Sequence, residues 1–213
     1  MDLKVTEIFH SIQGESTYSG LPCTFIRLAT CDLRCRWCDT EYSFAEGETR
    51  SIDSILQRVR EIGCPLVEVT GGEPLVQAGA IDLLRRLLEE EYRVLLETGG
   101  HRSLGEVPPE VVKIVDLKCP GSRMSHRNHW ANLELLTDKD ELKFVIANEE
   151  DYLWARGVLR DRQLEGKLTV LFSPVWGEMD PQELASWILR DRLSVRLQVQ
   201  VHKVIWGPDR RGV

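Results

Sequence analysis

Thr24-Phe25-Ile26-Arg27-Leu28-Ala29-Thr30-Cys31-Asp32-Leu33-Arg34-Cys35-Arg36-Trp37-Cys38-Asp39-Thr40 decides how the chain is read. Its first six residues are mostly apolar and β-favouring, as in a buried strand. The loop that follows carries three cysteines spaced Cys-x3-Cys-x2-Cys, close enough to converge on one soft metal centre. A closed zinc site takes four protein ligands, and a plain iron–sulfur electron carrier takes four thiolates. Three thiolates therefore leave one iron of a cluster open to a reactant. Two plainer readings stay open on these residues alone: unrelated loop thiols, and a zinc site completed by a distant His or Cys.

Outward from this stretch the chain alternates strands and helices. Lys4 to Phe9 has weak strand patterning, and the polar, glycine-containing Ser11-Ile12-Gln13-Gly14-Glu15-Ser16 reads as a loop. Arg50 to Ile62 places Ile52, Ile55, Leu56, Val59 and Ile62 at helical spacing, with Ser51 or Asp53 as cap. Leu66 to Thr70 is a strand ending at Gly71-Gly72-Glu73-Pro74, and Ala80 to Glu91 is a helix. Further strands are expected over Arg93–Thr98, Val112–Leu117, Glu141–Ala147, Lys167–Phe172 and Val195–Val204, with helices over Asn148–Leu159 and Pro181–Leu189. Such alternation implies an α/β fold with a parallel sheet and right-handed crossovers. Polar or glycine-rich segments follow the strand ends, where such sheets place their sites. The helices are too few for a complete eight-unit barrel.

The 213 residues read as one domain, 1–213, with no low-complexity linker. A net charge of -7 argues against nucleic-acid binding, which favours a basic face. No apolar run approaches the roughly 18 to 20 residues that cross a bilayer, and the first residues lack a basic-then-apolar leader. A cytoplasmic protein is expected. Six cysteines are too sparse for a disulfide scaffold, and Cys23, Cys64 and Cys119 read as buried thiols. His126 and His129 carry no paired acid and read as part of a solvated loop.

The Cys-x3-Cys-x2-Cys loop after the first strand, with Trp37 before its last cysteine, resembles the radical S-adenosylmethionine (SAM) superfamily. The segment Ser11-Ile12-Gln13-Gly14-Glu15 and the C-terminal His202-Lys203-Val204-Ile205-Trp206 are similar to the 7-carboxy-7-deazaguanine synthases within it. That resemblance implies a partial (β/α) barrel of about six mainly parallel strands with a reduced helix set. It implies that Cys31, Cys35 and Cys38 hold a [4Fe-4S] cluster whose open iron is chelated by SAM. One electron then yields a 5'-deoxyadenosyl radical that takes hydrogen from the substrate, a step that belongs to the cofactor. The substrate implied is 6-carboxy-5,6,7,8-tetrahydropterin, which undergoes ring contraction and loss of ammonia on the way to queuosine and related 7-deazapurines.

The resemblance also assigns roles residue by residue. Trp37, Cys38 and Asp39 would lie along the adenine, and Gly72 would hold the amino group of SAM. Asp116, Leu117, Lys118, Ser173, Pro174, Val175 and Trp176 would meet its carboxylate and ribose. Ile12, Gln13, Gly14, Arg27, Thr70 and the carboxylate of Val213 would contact the pterin, and Thr40 would ligate Mg2+. Arg27 has a residue-level case as well. A cation inside an apolar strand needs an anionic partner, either a substrate carboxylate held in bidentate fashion or a neighbouring acid such as Glu15. A reductant such as flavodoxin or ferredoxin is implied, and a homodimer would cover the open sheet edges. The competing enzyme class is a small radical SAM activase that installs a glycyl radical in a partner protein.

Overall fold

The computed structural model describes residues 1–213. Its strands are β1 (Asp2–Ile12), β2 (Pro22–Leu28), β3 (Glu48–Ser51), β4 (Leu66–Gly71), β5 (Arg93–Thr98), β6 (Val112–Asp116), β7 (Glu141–Ile146), β8 (Thr169–Pro174) and β9 (Arg196–Leu197). Its helices are α1 (Ile52–Ile62), α2 (Gly79–Glu89), α3 (Glu149–Asp161), α4 (Pro181–Asp191) and α5 (Val201–Trp206). All nine strands form one open sheet in the order β3-β1-β2-β4-β5-β6-β7-β8-β9. Strands β2 and β4 to β8 pair in parallel and supply the expected six-stranded core of a partial barrel. β1 is antiparallel to both β2 and β3, and so extends one side of the sheet.

Alternation within each strand sorts the side chains between two faces. Val67, Val69, Val94, Leu96, Leu142, Phe144, Val170 and Phe172 join a 35-residue cluster with the apolar stripes of the helices. In α1 that stripe is Ile52, Ile55, Leu56 and Val59, all buried. Ser51 caps α1 by accepting from the Ser54 N–H, and Gly63, at φ 74°, ends it in a left-handed turn. Burying each such side chain contributes about 1.5–3 kcal/mol. The opposite face is graded along the strands. Cys23, Phe25, Leu66, Leu95, Val112 and Ile114, near the strand starts, make a small apolar plug with Cys64. Arg27, Thr70, Glu97, Asp116, Lys143 and Ser173 follow at the C-terminal ends and line a cavity.

The end of the chain departs from expectation. The two-residue alternation over Val195–Val204 predicts one strand, yet only Arg196 and Leu197 pair, with β8. The Gln198 N–H still reaches the Phe172 carbonyl at 2.9 Å, but the Val201 N–H donates to the Gly14 carbonyl at 2.9 Å. That bond draws the chain off the sheet and across the cavity, where Val201 to Trp206 coil into α5. His126, on a 3-10 turn, and His129, just before the next one, are both exposed, as a solvated loop predicts. No helix is long and apolar enough to cross a membrane.

Candidate active site

A cavity of about 740 Å³ opens at the C-terminal ends of the parallel strands. The cysteine loop forms one wall, and two neighbouring elements hold it there. The first is the turn after β4. Gly71 has φ +142°, and a Cβ on it would lie 2.1 Å from the Leu28 carbonyl oxygen. A Cβ on Gly72 would lie 2.3 Å from the Thr30 oxygen and 3.0 Å from the Cys31 Cβ. The double glycine, read from sequence as a place for close ligand approach, is thus also required by the backbone of β2 and the cysteine loop. The Gly72 N–H donates to Leu28 at 3.0 Å and the Glu73 N–H to Thr30 at 2.8 Å.

The second clamp is the Glu73 carboxylate, which is fully buried. It accepts from the Leu75 N–H (3.0 Å), the Gly99 N–H (2.9 Å) and the Thr98 hydroxyl (2.8 Å). His101 lies between Glu73 and the loop, with Nδ1 3.5 Å from Glu73 and Nε2 2.6 Å from Asp32. Asp32 also accepts from Arg102 at 2.7 Å and Arg127 at 2.9 Å. Although burial opposes it, donation from His101 and the arginine charge hold this carboxyl down at about 2. On the far side of the loop, the Arg36 N–H donates to Ser122 at 3.2 Å and its guanidinium pairs with Glu178.

Cys31, Cys35 and Cys38 are half-buried free thiols, and all three line the cavity. Burial pushes the Cys31 thiol up to about 11 and raises Cys35 as well. The Leu33 N–H approaches the Cys31 sulfur at 3.4 Å, an orientation that suits a thiolate ligand. No three His, Cys, Asp or Glu side chains gather tightly enough to grip a single ion. A cubane makes no demand for such a single-ion grip, because each thiolate meets a different iron. The fourth ligand that a zinc site needs is not in place. Cys23 and Cys64 belong to the apolar plug and Cys119 to the main core. The three-thiol donor set therefore fits a cluster with an open iron.

The other predicted residues converge on the same cavity with one exception. Ile12, Gln13, Gly14, Arg27, Trp37, Asp39, Thr40, Thr70, Gly72, Asp116, Lys118, Ser173, Pro174, Val175, Trp176 and Val213 all line it. The Leu117 side chain is 1% exposed and packs in the main core, and its N–H is taken by the Lys143 carbonyl. Strand alternation turns it away from its neighbours. Asp116 pairs with Lys118 through Oδ2, at 2.9 Å, while its Oδ1 is buried with no hydrogen-bond partner. An orphan acceptor on a cavity wall fits an ammonium or hydroxyl donor on a polar ligand such as SAM.

Arg27 pairs with Glu7, through Nε at 2.8 Å, and not with Glu15. Tyr42 donates to the same Glu7 oxygen at 2.8 Å. The Nε–Glu7 hydrogen bond is the only one the Arg27 guanidinium makes, so both terminal nitrogens remain for a carboxylate. Glu15 instead belongs to a group that sequence reasoning passed over. The Lys143 ammonium bonds Glu15 at 2.9 Å and Glu97 more closely, and lies 4.0 Å from Asp116. Burial acts to raise Glu15, but the Lys143 charge and hydrogen bonds from Gln200 and Lys143 hold it below its ordinary value. Burial and the Glu97 and Glu15 charges push Glu68 well above the usual carboxyl range. Glu68 also accepts from the side-chain amide of Gln13 and so fixes its orientation. The readable signal was a charge at alternate positions of an apolar strand: Glu68, Glu97 and Lys143 share it with Arg27.

The last wall is the tail. Lys203 pairs with Asp39 at 2.7 Å, Gln200 donates to Glu15 at 2.8 Å, and Arg211 stacks 3.7 Å from the Tyr42 ring centroid. His202 packs against Gly14 so closely that a Cβ there would meet its Nδ1 at 2.1 Å.

A partial parallel barrel with a three-thiol loop at its mouth defines a radical SAM protein, and the family model described as the radical SAM superfamily matches residues 26–116. A 7-carboxy-7-deazaguanine synthase of Chlorobaculum tepidum is 48% identical over 99% of this chain and 97% of its own length. That of Koribacter versatilis is 46% identical over 99% of this chain and 100% of its own. The chain belongs to the 7-carboxy-7-deazaguanine synthases, and with that family come an iron–sulfur cluster and SAM. The crystal structure of QueE from Escherichia coli shares the fold, with a TM-score of 0.78 at 21% identity over 95% of both chains. These relatives support the synthase reading and not a glycyl-radical activase.

Proposed function

We propose that this chain is the lyase that converts 6-carboxy-5,6,7,8-tetrahydropterin into 7-carboxy-7-deazaguanine, with loss of ammonia, on the route to queuosine and related 7-deazapurines. The observation that carries the reading is that three free thiols and an arginine with two unengaged nitrogens line one cavity. Cys31, Cys35 and Cys38 hold the [4Fe-4S] cluster. When bound, the cluster and SAM supply hydrogen-atom abstraction at C6 of the pterin, and SAM is regenerated afterwards.

The protein's own work is positioning. Gly72 offers backbone to the amino group of SAM, and Trp37 to Asp39 lie along its adenine. Asp116, Lys118 and Ser173 to Trp176 take its carboxylate and ribose, with Leu117 contributing backbone only. Arg27 clamps the substrate carboxylate, where a guanidinium gives two parallel bonds. Ile12, Gln13, Gly14, Thr70 and Val213 contact the pterin, and Thr40 contributes its hydroxyl to a Mg2+ that also touches substrate. Burial and the Glu97 and Glu15 charges favour the protonated form of the Glu68 carboxyl beside Gln13. A flavodoxin- or ferredoxin-like reductant, a homodimer and a cytoplasmic setting complete the reading.

The test is anaerobic cluster reconstitution followed by incubation with SAM, reductant and the carboxypterin. Formation of 7-carboxy-7-deazaguanine without net SAM consumption is expected, and R27Q should raise KM for the pterin by about 100-fold, the loss of one bidentate charge-assisted contact. SAM cleavage unaffected by the pterin, with no deazapurine formed, would refute the lyase assignment.

A further inference from the structure

Glu7 stands opposite Arg27 because the ladder between β1 and β2 slips. Val5 pairs with Leu28, but the next partner of β1 is Glu7, against Arg27, with Thr6 passed over. Without that shift Glu7 would pair with Ile26, whose side chain packs in the main core on the other face. A bulge re-aims a side chain in this way, and here it turns a carboxylate to the face that carries Arg27. One oxygen of Glu7 then accepts from Arg27 Nε and from the Tyr42 hydroxyl, each at 2.8 Å. The Tyr42 ring is held in turn by Arg211, 3.7 Å from its centroid, which donates to Glu46 at 3.0 Å. The Arg27 guanidinium also lies 5.8 Å from the centroid of the Phe9 ring. Arg27 and Glu7 are only 17% and 20% exposed, so the pair is sheltered from solvent screening.

We propose that Glu7 and Tyr42 are positioning residues for the substrate, holding Arg27 so that a ligand carboxylate meets it end-on through its two terminal nitrogens. The inference rests on the reading of Arg27 as the carboxylate clamp. A guanidinium can take a carboxylate along either of two edges, Nε with one terminal nitrogen or both terminal nitrogens together. Glu7 closes the first edge and leaves the second. It also fixes a rotamer-rich side chain in advance, which removes an ordering cost from binding. Its charge acts the other way, by repelling the incoming carboxylate. That repulsion is the smaller effect, because the Glu7 charge is already engaged by the Arg27 and Tyr42 donors.

The test compares two probes on the reconstituted, SAM-loaded enzyme without reductant: 6-carboxypterin, and pterin, which lacks the carboxylate. By equilibrium dialysis the wild type should prefer 6-carboxypterin about 100-fold, the size of one bidentate charge-assisted contact, and R27Q should lose that preference. Glu7→Ala should weaken 6-carboxypterin about tenfold and Tyr42→Phe about threefold, each leaving pterin within about twofold. Glu7→Gln, which keeps an acceptor oxygen for Nε, should recover most of the loss. In turnover, E7A should raise KM for the carboxytetrahydropterin about tenfold and leave KM for SAM within about twofold. Unchanged or tighter binding of 6-carboxypterin by E7A would overturn the positioning role, since Glu7 would then be a bystander or a competitor. So would equal weakening of both probes, the mark of general damage. A wild type that binds the two probes alike would instead overturn the clamp reading of Arg27, a distinguishable failure.

Discussion

Replacing Lys143 by methionine tests the polar layer at the head of the barrel. The Lys143 side chain is 5% exposed, and its ammonium lies within bonding distance of Glu15 and Glu97, with Asp116 at 4.0 Å. Methionine keeps much of the volume and removes the charge, leaving the carboxylates without their cation. Breaking a buried ion pair from one side costs about 3–5 kcal/mol, a large part of a total stability of about 5–15 kcal/mol. With a urea slope of about 3 kcal/mol per molar, the midpoint at pH 7 should fall by about 1 to 1.7 M. The pH dependence has a definite sign. Glu15 is held below its ordinary 4.5 in the folded protein, so its pairing stabilises the fold above that pH and is lost as pH falls through the lowered value. The gap between wild type and K143M should therefore narrow on acidification below 4.5. A midpoint shift under about 0.3 M at pH 7, or a gap that does not change with pH, would refute this account of the layer.

Gly71→Ala forces a side chain to a φ of +142° and into the Leu28 backbone. It should cost about 3 kcal/mol or more by thermal unfolding, and a loss below about 1 kcal/mol would contradict the tight β2–β4 crossing. Cys31→Ala should abolish retention of the reconstituted cluster, read as iron content and visible absorbance, while Cys64→Ala, in the apolar plug, should leave both intact. Equal iron in the two variants would remove Cys31 from the ligand set. Tyr152→Phe removes a hydroxyl bonded to the Trp187 carbonyl and to Asp191, each at 2.8 Å. It should cost about 1–3 kcal/mol in urea midpoint analysis and leave turnover unchanged.

The cysteine loop and the six-stranded core were legible because both signals are local. Cys-x3-Cys-x2-Cys is read within eight residues, and the helical stripe of α1 or the apolar run of β4 within about a dozen. β3 was missed because Glu48 to Ser51 is a short polar edge with no apolar period of its own. The tail was misread because Val195, Leu197, Val199 and Val201 do alternate. What ends that strand is the Gly14 carbonyl, far away in sequence. The same limit hid the Lys143 group. Glu15, Glu97 and Lys143 each look like an isolated charge, and only strand packing brings them together. Arg27 was singled out correctly as a cation in need of an anionic partner, and it is partly buried, but Glu7 on the neighbouring antiparallel strand is that partner instead of Glu15.

The tail contacts reach across almost the whole polypeptide, from Gly14 to Val201 and from Asp39 to Lys203. A ribosome has made the cysteine loop after some forty residues and does not supply this wall of the cavity until far later. The wall that the tail supplies is therefore the last part of the cavity to be synthesised.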